Sequence, residues 1–178
     1  LTQSRRGGEG LSNQTRAVCA GGNNDSGTHY NIIDFVTIAS TGNAVDFGDL
    51  TTTKTRASGA ASPTRGVFYG SSPGDTPALS IDFITIASTG NAIDFGDTLG
   101  GGGTMSAASS STRLVSGDGS SSPVYALAKI EIATKGNAVK FGDMLSNKFS
   151  FAACSDSIRG VFAGGDGSPA QFNTIEYF

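Results

Sequence analysis

Ile33 to Leu50 reads I-D-F-V-T-I-A-S-T-G-N-A-V-D-F-G-D-L, and the chain contains three versions of this stretch. It returns as I-D-F-I-T-I-A-S-T-G-N-A-I-D-F-G-D at Ile81 to Asp97 and, with more changes, as L-A-K-I-E-I-A-T-K-G-N-A-V-K-F-G-D at Leu127 to Asp143. Counted at the asparagine of the motif, the offset between copies is 48 and then 46 residues. Periods of this length are typical of propeller blades and solenoid units. The sequence therefore predicts a repeat array.

The array divides into four units within a single repeat domain. We predict their boundaries at 1–49, 50–97, 98–143 and 144–178. The last unit is incomplete, since 173–178 matches only the start of the motif. We therefore expect the chain to work in a larger assembly, in which a partner chain or flanking sequence completes that unit.

The composition favours a β protein with many tight turns. Of 178 residues, 26 are glycine, 15% are charged and 37% are apolar, so Ala, Gly, Ser and Thr must fill much of the interior. Such a composition argues against a helical bundle.

The formal charge of −3 and the lack of a basic run beyond Arg5-Arg6 argue against nucleic acid as a partner. No stretch approaches the roughly 18 apolar residues of a membrane span, so we expect no membrane partner.

Each unit reads as four short strands separated by glycine-rich turns. The first strand consists mainly of small residues, as in 57–62, 105–110 and 151–155. Small side chains suit a strand that lies where backbones crowd, as they do near the axis of a propeller.

The third strand, expected over 33–39 and 81–87, is apolar on both faces. Ile81 and Phe83 point one way, whereas Ile84 points the other. A strand covered on both sides belongs between two other layers, which adjacent propeller blades provide. The sequence thus predicts an all-β propeller with four-stranded blades of about 48 residues, and a β-solenoid is the alternative.

An arginine recurs in each of the four units, and an aspartate closes each of the first three. Sixteen residues separate each closing aspartate from the next arginine. We expect the arginines to bond a neighbouring blade, with the repeat's own aspartates as partners, and the aspartates to accept backbone N–H bonds at a turn. A ring of arginines around an anionic ligand is the alternative. These structural residues are Arg16, Arg65, Arg113, Arg159, Asp49, Asp97 and Asp143.

The connections between second and third strands vary in length and sequence, as exposed loops do. In a propeller these connections emerge on one face. We expect any ligand to bind there, since aromatic and amide side chains are common in sugar sites. The predicted binding residues are Asn24, Asp25, His29, Tyr30, Asp75, Asp118 and Asp166.

The sequence offers no set of residues for catalysis or metal binding. Asp46-Phe47-Gly48 spells the kinase D-F-G, but it recurs with the repeat and lacks the companion motifs. His29 is the sole histidine, and the Asp/Asn-Gly loops do not follow the order of a calcium loop. We expect no enzymatic activity, no cofactor and no metal. We expect Cys19 and Cys154 to be small buried residues, which can pair only if the first and last units meet.

Three features recur together in the units: a strand that ends in glycine, a variable loop, and an apolar strand with an acidic and an aromatic residue, as in Ile33-Asp34-Phe35 and Ile175-Glu176-Tyr177. This order resembles the kelch repeat of β-propellers. The tryptophan common in kelch repeats is missing, and we expect Phe47, Phe95 and Phe141 to fill its place. The wording T-I-A-S-T-G-N-A-V-D-F-G-D-L, with S-P-T-R-G-V-F at 62–68, resembles the repeats of virion structural proteins of phages that infect marine cyanobacteria.

The resemblance implies a non-enzymatic virion structural protein of a tail fibre, tail or capsid surface, with a role in host attachment. Its implied partners are other virion proteins or copies of the chain itself, with a host-surface glycan as candidate ligand. A secreted or surface glycan-binding adhesin, located outside the cell, is the alternative.

Overall fold

The structure is a computed structural model that describes residues 1–70, 79–100, 105–117, 126–167 and 171–178. These ranges contain fifteen β-strands and no helix. The strands form four small antiparallel sheets arranged as a four-bladed β-propeller. The predicted all-β propeller is therefore confirmed. Within the described ranges there is accordingly no helix that could span a membrane.

Each of the first three blades has four strands. Blade 1 contains β1 (Glu9–Ser12), β2 (Arg16–Ala20), β3 (Ile32–Thr37) and β4 (Val45–Asp49). Blade 2 contains β5 (Ser58–Ala61), β6 (Arg65–Tyr69), β7 (Ser80–Thr85) and β8 (Ile93–Asp97). Blade 3 contains β9 (Ser106–Ser109), β10 (Arg113–Gly117), β11 (Ala126–Glu131) and β12 (Val139–Asp143). In the described part of blade 4 there are three strands, β13 (Ala152–Ser155), β14 (Gly160–Ala163) and β15 (Ile175–Tyr177).

The strands of each blade lie side by side in chain order, and every neighbouring pair is antiparallel. The first strands of the blades, β1, β5, β9 and β13, pack on one another in sequence. These short strands therefore form the inner edge of the propeller, where the small residues of β5, β9 and β13 fit closely.

Three apolar clusters form the core, and each lies between two successive blades. Strand β7 contributes to two of them, as its two apolar faces predict. Ile81 packs towards blade 3, whereas Ile84 and Ile86 pack towards blade 1. The propeller is thus held together by contacts between blades, with the third strand of each blade at their centre.

The third strands end earlier than predicted. Strand β3 ends at Thr37 and β7 at Thr85, although apolar residues continue for two more positions. The chain then leaves its own sheet to pair with the preceding blade: the Gly90 amide donates to the Phe47 carbonyl at 2.7 Å. In blade 2 the S-T-G-N-A segment therefore bonds the preceding blade in addition to joining β7 to β8.

The prediction that both cysteines are buried is wrong for Cys154. Cys19 is partly buried and Cys154 is exposed, and both thiols are unpaired. The reason is positional: Cys154 lies on the side of β13 that faces away from blade 3, where no described blade covers it.

Candidate functional site

The two ends of the repeated motif meet across the interface between blades 1 and 2. Gly48 lies so close to Gly90 that a Cβ atom on Gly48 would stand 2.5 Å from the Gly90 carbonyl oxygen. The side-chain oxygen of Asn91 accepts a hydrogen bond from the Asp49 amide at 3.1 Å. Blades 2 and 3 repeat this arrangement with Gly96, Gly136, Asp97 and Asn137. The F-G-D segments of blades 1 and 2 thus pack on the Gly-Asn pair of the next blade.

The closing aspartates bond the next blade through their backbone. The carbonyls of Asp49 and Asp97 accept from the amides of Ala92 and Ala138, both at 2.7 Å. The carboxylate of Asp143 instead pairs with Lys140 on the same strand at 2.9 Å. The described cross-blade bonds of these aspartates therefore use main-chain groups, and a turn-capping role for their carboxylates stays a prediction.

Two of the repeating arginines bond the next blade, but not through aspartates. Arg16 Nη1 donates to the carbonyl of Ile86 at 2.7 Å, and Arg65 Nη1 donates to that of Ile132 at 2.8 Å. The expected aspartate partners are thus wrong for these two residues. Their guanidinium groups also stack on an aromatic ring of their own blade, which holds the donor in place. In blade 3, Arg113 pairs with Glu131 at 2.9 Å on the exposed surface.

A buried ion pair occurs in blades 1, 2 and 4. In blade 2 the Lys54 ammonium lies 3.7 Å from Asp82 and donates to the carbonyl and hydroxyl oxygens of Ser80, both at 2.8 Å. Burial lowers the pKa of Lys54, and the charge of Asp82 opposes that shift. The equivalent pairs are Arg5 with Asp34 and Lys148 with Glu176, both at 2.8 Å.

These ion pairs were not predicted from the sequence, although a signal was present. A basic residue follows the closing aspartate by five positions at Lys54 and Lys148, and the acidic partner is the second residue of the I-D-F or I-E-Y segment. In blade 3 the acidic position is taken by Ala128, which is buried. The ion pair is therefore a structural feature of blades 1, 2 and 4, and blade 3 lacks it.

The first variable loop brings four predicted binding residues together. Asn24 Nδ2 donates to the Tyr30 hydroxyl at 3.1 Å, and Asn24 Oδ1 accepts from the Thr28 amide at 2.8 Å. Asp25 is almost fully exposed and pairs with Arg6 at 3.2 Å. The His29 ring nitrogen Nδ1 is buried and has no hydrogen-bond partner among the described residues. The loop thus presents amide, carboxylate, phenol and guanidinium groups over a short span.

Of the other three predicted binding residues, the structure describes Asp166. Asp166 is in blade 4, where its backbone pairs with Phe149 through bonds of 2.9 and 2.8 Å. Asp75 and Asp118 lie outside the described residues. Convergence of the four loops on one ligand therefore stays a prediction.

A cavity of about 280 Å³ opens between blades 3 and 4. It is lined by both arginines of these blades, Arg113 and Arg159, and by the aromatic rings of Phe141 and Phe178. Between blades 1 and 2 the isoleucine that receives the arginine, Ile86, is fully buried. The cavity therefore marks a looser interface between blades 3 and 4.

One carboxyl group lies on the inner edge of the propeller. Glu9 on β1 accepts a hydrogen bond from the amide of Gly59 on β5 at 2.8 Å. Burial raises the pKa of Glu9 to about 7, more strongly than the bonds from Gly59 and Gly10 lower it. Glu9 therefore joins blades 1 and 2 near the axis and changes charge near neutral pH.

The described side chains do not gather into a metal centre. Within the described ranges no three His, Cys, Asp or Glu residues are placed to hold an ion. Compared with known proteins, the sequence matches no family model and no curated protein.

Proposed function

We propose that this chain is a non-enzymatic structural component of a phage particle that also takes part in host attachment. The observation that carries this proposal is the repeated wording T-I-A-S-T-G-N-A-V-D-F-G-D-L, which resembles virion structural repeats. The contacts that this motif makes support a structural role, because its glycines and asparagines join successive blades. A rigid ring segment with variable loops suits a protein that displays binding surfaces on a particle.

The first variable loop is the candidate attachment surface. Its exposed Asp25, which pairs with Arg6 of the segment before β1, offers hydrogen-bond acceptors, and Asn24 and Tyr30 add an amide and an aromatic ring. Sugars are recognised by such combinations of polar groups and aromatic faces. A host-surface glycan is therefore the ligand class that we propose for this loop.

The same loop chemistry supports a second candidate function, a secreted or surface glycan-binding adhesin. The two functions differ in where the protein is found. A structural component co-purifies with particles at a constant ratio to other particle proteins, whereas a secreted adhesin stays in the culture medium.

Mass spectrometry of particles purified from cultures that make this chain tests the proposal. We expect the chain in intact particles at constant ratio across a density gradient. Its absence from particles, combined with its presence in cell-free medium, contradicts the structural role and favours the adhesin.

Attachment is tested by adding purified chain to host cells before infection. We expect wild type to reduce adsorption of particles, D25A to block less, and D46A, which alters an exposed carboxylate on β4, to block like wild type.

A further inference from the structure

The first and last blades each have one face that the described chain does not cover. We call the side of a blade that contacts the next blade its front face, and the side that contacts the preceding blade its rear face. Ile38, on the rear face of blade 1, is 52% exposed, whereas its counterparts Ile86 and Ile132 are 0% and 1% exposed. Strand β1 packs on β5 and does not pack on β13 in the same way. The rear face of blade 1 is thus an uncovered surface of the kind that blades 2 and 3 bury.

The front face of blade 4 is uncovered in the same way. Ile175 is 72% exposed, whereas its counterparts Ile33 and Ile81 are both 0% exposed. Tyr177, two residues later on β15, is 70% exposed. Exposed apolar residues at positions that are buried elsewhere in the array indicate a surface that needs a partner.

The two uncovered faces are complementary, because all three internal interfaces join one front face to one rear face. Arg159 on the front face of blade 4 already lies over the ring of Tyr177, 4.8 Å from its centre. Arg16 and Arg65 lie over Phe35 and Phe83 at 4.5 Å while they donate to isoleucine carbonyls of the next blade. Arg159 is therefore held in the donor position of these interfaces, and Ile38 on blade 1 carries the equivalent carbonyl acceptor.

The two cysteines occupy facing positions on these surfaces. Cys154 pairs with Val161 on β14 as Leu11 pairs with Val18 on β2, so Cys154 takes the front-face position of Leu11. Cys19 pairs with Asp34 on β3 as Phe68 pairs with Asp82 on β7, so Cys19 takes the rear-face position of Phe68. Leu11 and Phe68 belong to one apolar cluster between blades 1 and 2. An interface of the same geometry would place Cys154 beside Cys19.

We propose that the front face of blade 4 binds the rear face of blade 1 in a second copy of this chain. In this contact Arg159 donates to the Ile38 carbonyl of the second copy, Ile175 and Tyr177 cover Ile38, and Cys154 lies next to Cys19. The contact repeats the geometry of the internal blade interfaces, in which one front face joins one rear face. This inference is independent of the proposed function.

Cross-linking of the native cysteines tests the contact. The purified chain, held at micromolar concentration, is treated with a short bismaleimide and separated under denaturing conditions. We expect cross-linked dimers from wild type and none from C19S or C154S alone, because the contact joins unlike residues. A mixture of C19S and C154S restores one cross-link and therefore the dimer.

Three results overturn the proposal. The first is no cross-link although both thiols react with a monofunctional maleimide. The second is a dimer that persists in either single variant, since that indicates contact between like faces. The third is a cross-link confined to the monomer, since that indicates closure of the ring within one chain.

A measurement of mass by light scattering tests the contact without the cysteines. Wild type should exceed the 18.0 kDa of one chain, and I38D should have the mass of one chain. The matched control is V45D, because Val45 is 57% exposed and its counterpart Ile93 is still 56% exposed in blade 2, which has a neighbouring blade on both sides. An 18.0 kDa mass for wild type, or an unchanged multimer in I38D, contradicts the proposal.

Discussion

At the scale of single residues, the buried acid of the third strand in blades 1, 2 and 4 links the segment before the blade to its sheet. Asp82 accepts hydrogen bonds from both the amide and the hydroxyl of Thr51, and it also neutralises Lys54. Both side chains of the ion pair are about 1% exposed or less. A buried charge whose partner is removed is strongly destabilising, whereas a buried pair replaced as a whole costs little.

We therefore predict that D82A lowers the free energy of unfolding by about 3 kcal/mol, because it leaves the Lys54 charge buried and unpaired. The double variant K54M/D82A should recover most of that loss. Urea denaturation followed by circular dichroism measures both. The control is E131A, which removes the exposed Arg113–Glu131 pair and should cost less than about 1 kcal/mol. If D82A and E131A lower the free energy of unfolding equally, burial does not explain the contribution of the Lys54–Asp82 pair.

The position of the repeating arginines at blade interfaces was predictable from the sequence, but their carbonyl partners were not. The reason is physical: every residue carries a carbonyl oxygen, so an acceptor such as that of Ile86 leaves no mark in the sequence, whereas an aspartate stands out. The role of Asn91 was missed for a similar reason. Asparagine is common in turns for its local conformation, and that preference concealed its bond to the preceding blade.

At the scale of elements, the inner strand β1 departs from the small-residue pattern of β5, β9 and β13. It carries Glu9 where β5 and β9 carry Ser58 and Ser106. Ser106 makes a comparable contact, since its hydroxyl donates to the carbonyl of Phe151 next to β13. Glu9 and Ser106 thus bridge successive inner strands, whereas the buried Ser58 hydroxyl has no hydrogen-bond partner among the described residues. Of the two bridging side chains, Glu9 is the one that titrates.

We predict that the chain loses stability as pH rises from about 4.5 to 7. The pKa of Glu9 is raised to about 7 in the folded protein, so folding favours the protonated carboxyl. That stabilisation is complete below the unfolded pKa and disappears as pH rises through the folded pKa, a change of about 2 kcal/mol. Thermal unfolding across this range measures it. E9Q should remove this part of the pH dependence, and E131Q should keep it. An identical pH profile for E9Q and wild type contradicts the assignment to Glu9.

The strands themselves were largely predictable, because period-two patterns and glycine turns mark them directly. The positions at which the strands end were harder to predict. The apolar run beyond Thr37 and Thr85 reads as a longer strand, but Ile86 is apolar because it lies between blades and not because it continues β7. Burial by a neighbouring blade and burial within a sheet leave the same pattern of side chains.

At the scale of the whole molecule, one contact occurs twice along the chain and joins blade 1 to blade 2 and blade 2 to blade 3. The two apolar faces of the third strand predicted that each blade lies between two others, and the clusters on either side of blade 2 agree with this. The uncovered faces at the two ends were not predictable from residue types. Ile38 and Ile86 both lie in the segment T-I-A-S-T-G-N-A, and the arrangement of the blades makes one exposed and the other buried.

The central claim is that F-G-D of one blade meets T-G-N of the next, and alanine substitution of the F-G-D glycines tests it most directly. Gly48 and Gly96 have φ of 145° and 151°, and a Cβ atom on either would collide with the next blade's backbone. Gly142 is their counterpart in blade 3, but a Cβ atom there meets nothing within 4 Å. We predict that G48A and G96A each lower the free energy of unfolding by about 2 kcal/mol, and that G142A changes it by less than about 0.5 kcal/mol. Equal effects of all three substitutions in urea denaturation would contradict the claim that this contact joins the blades.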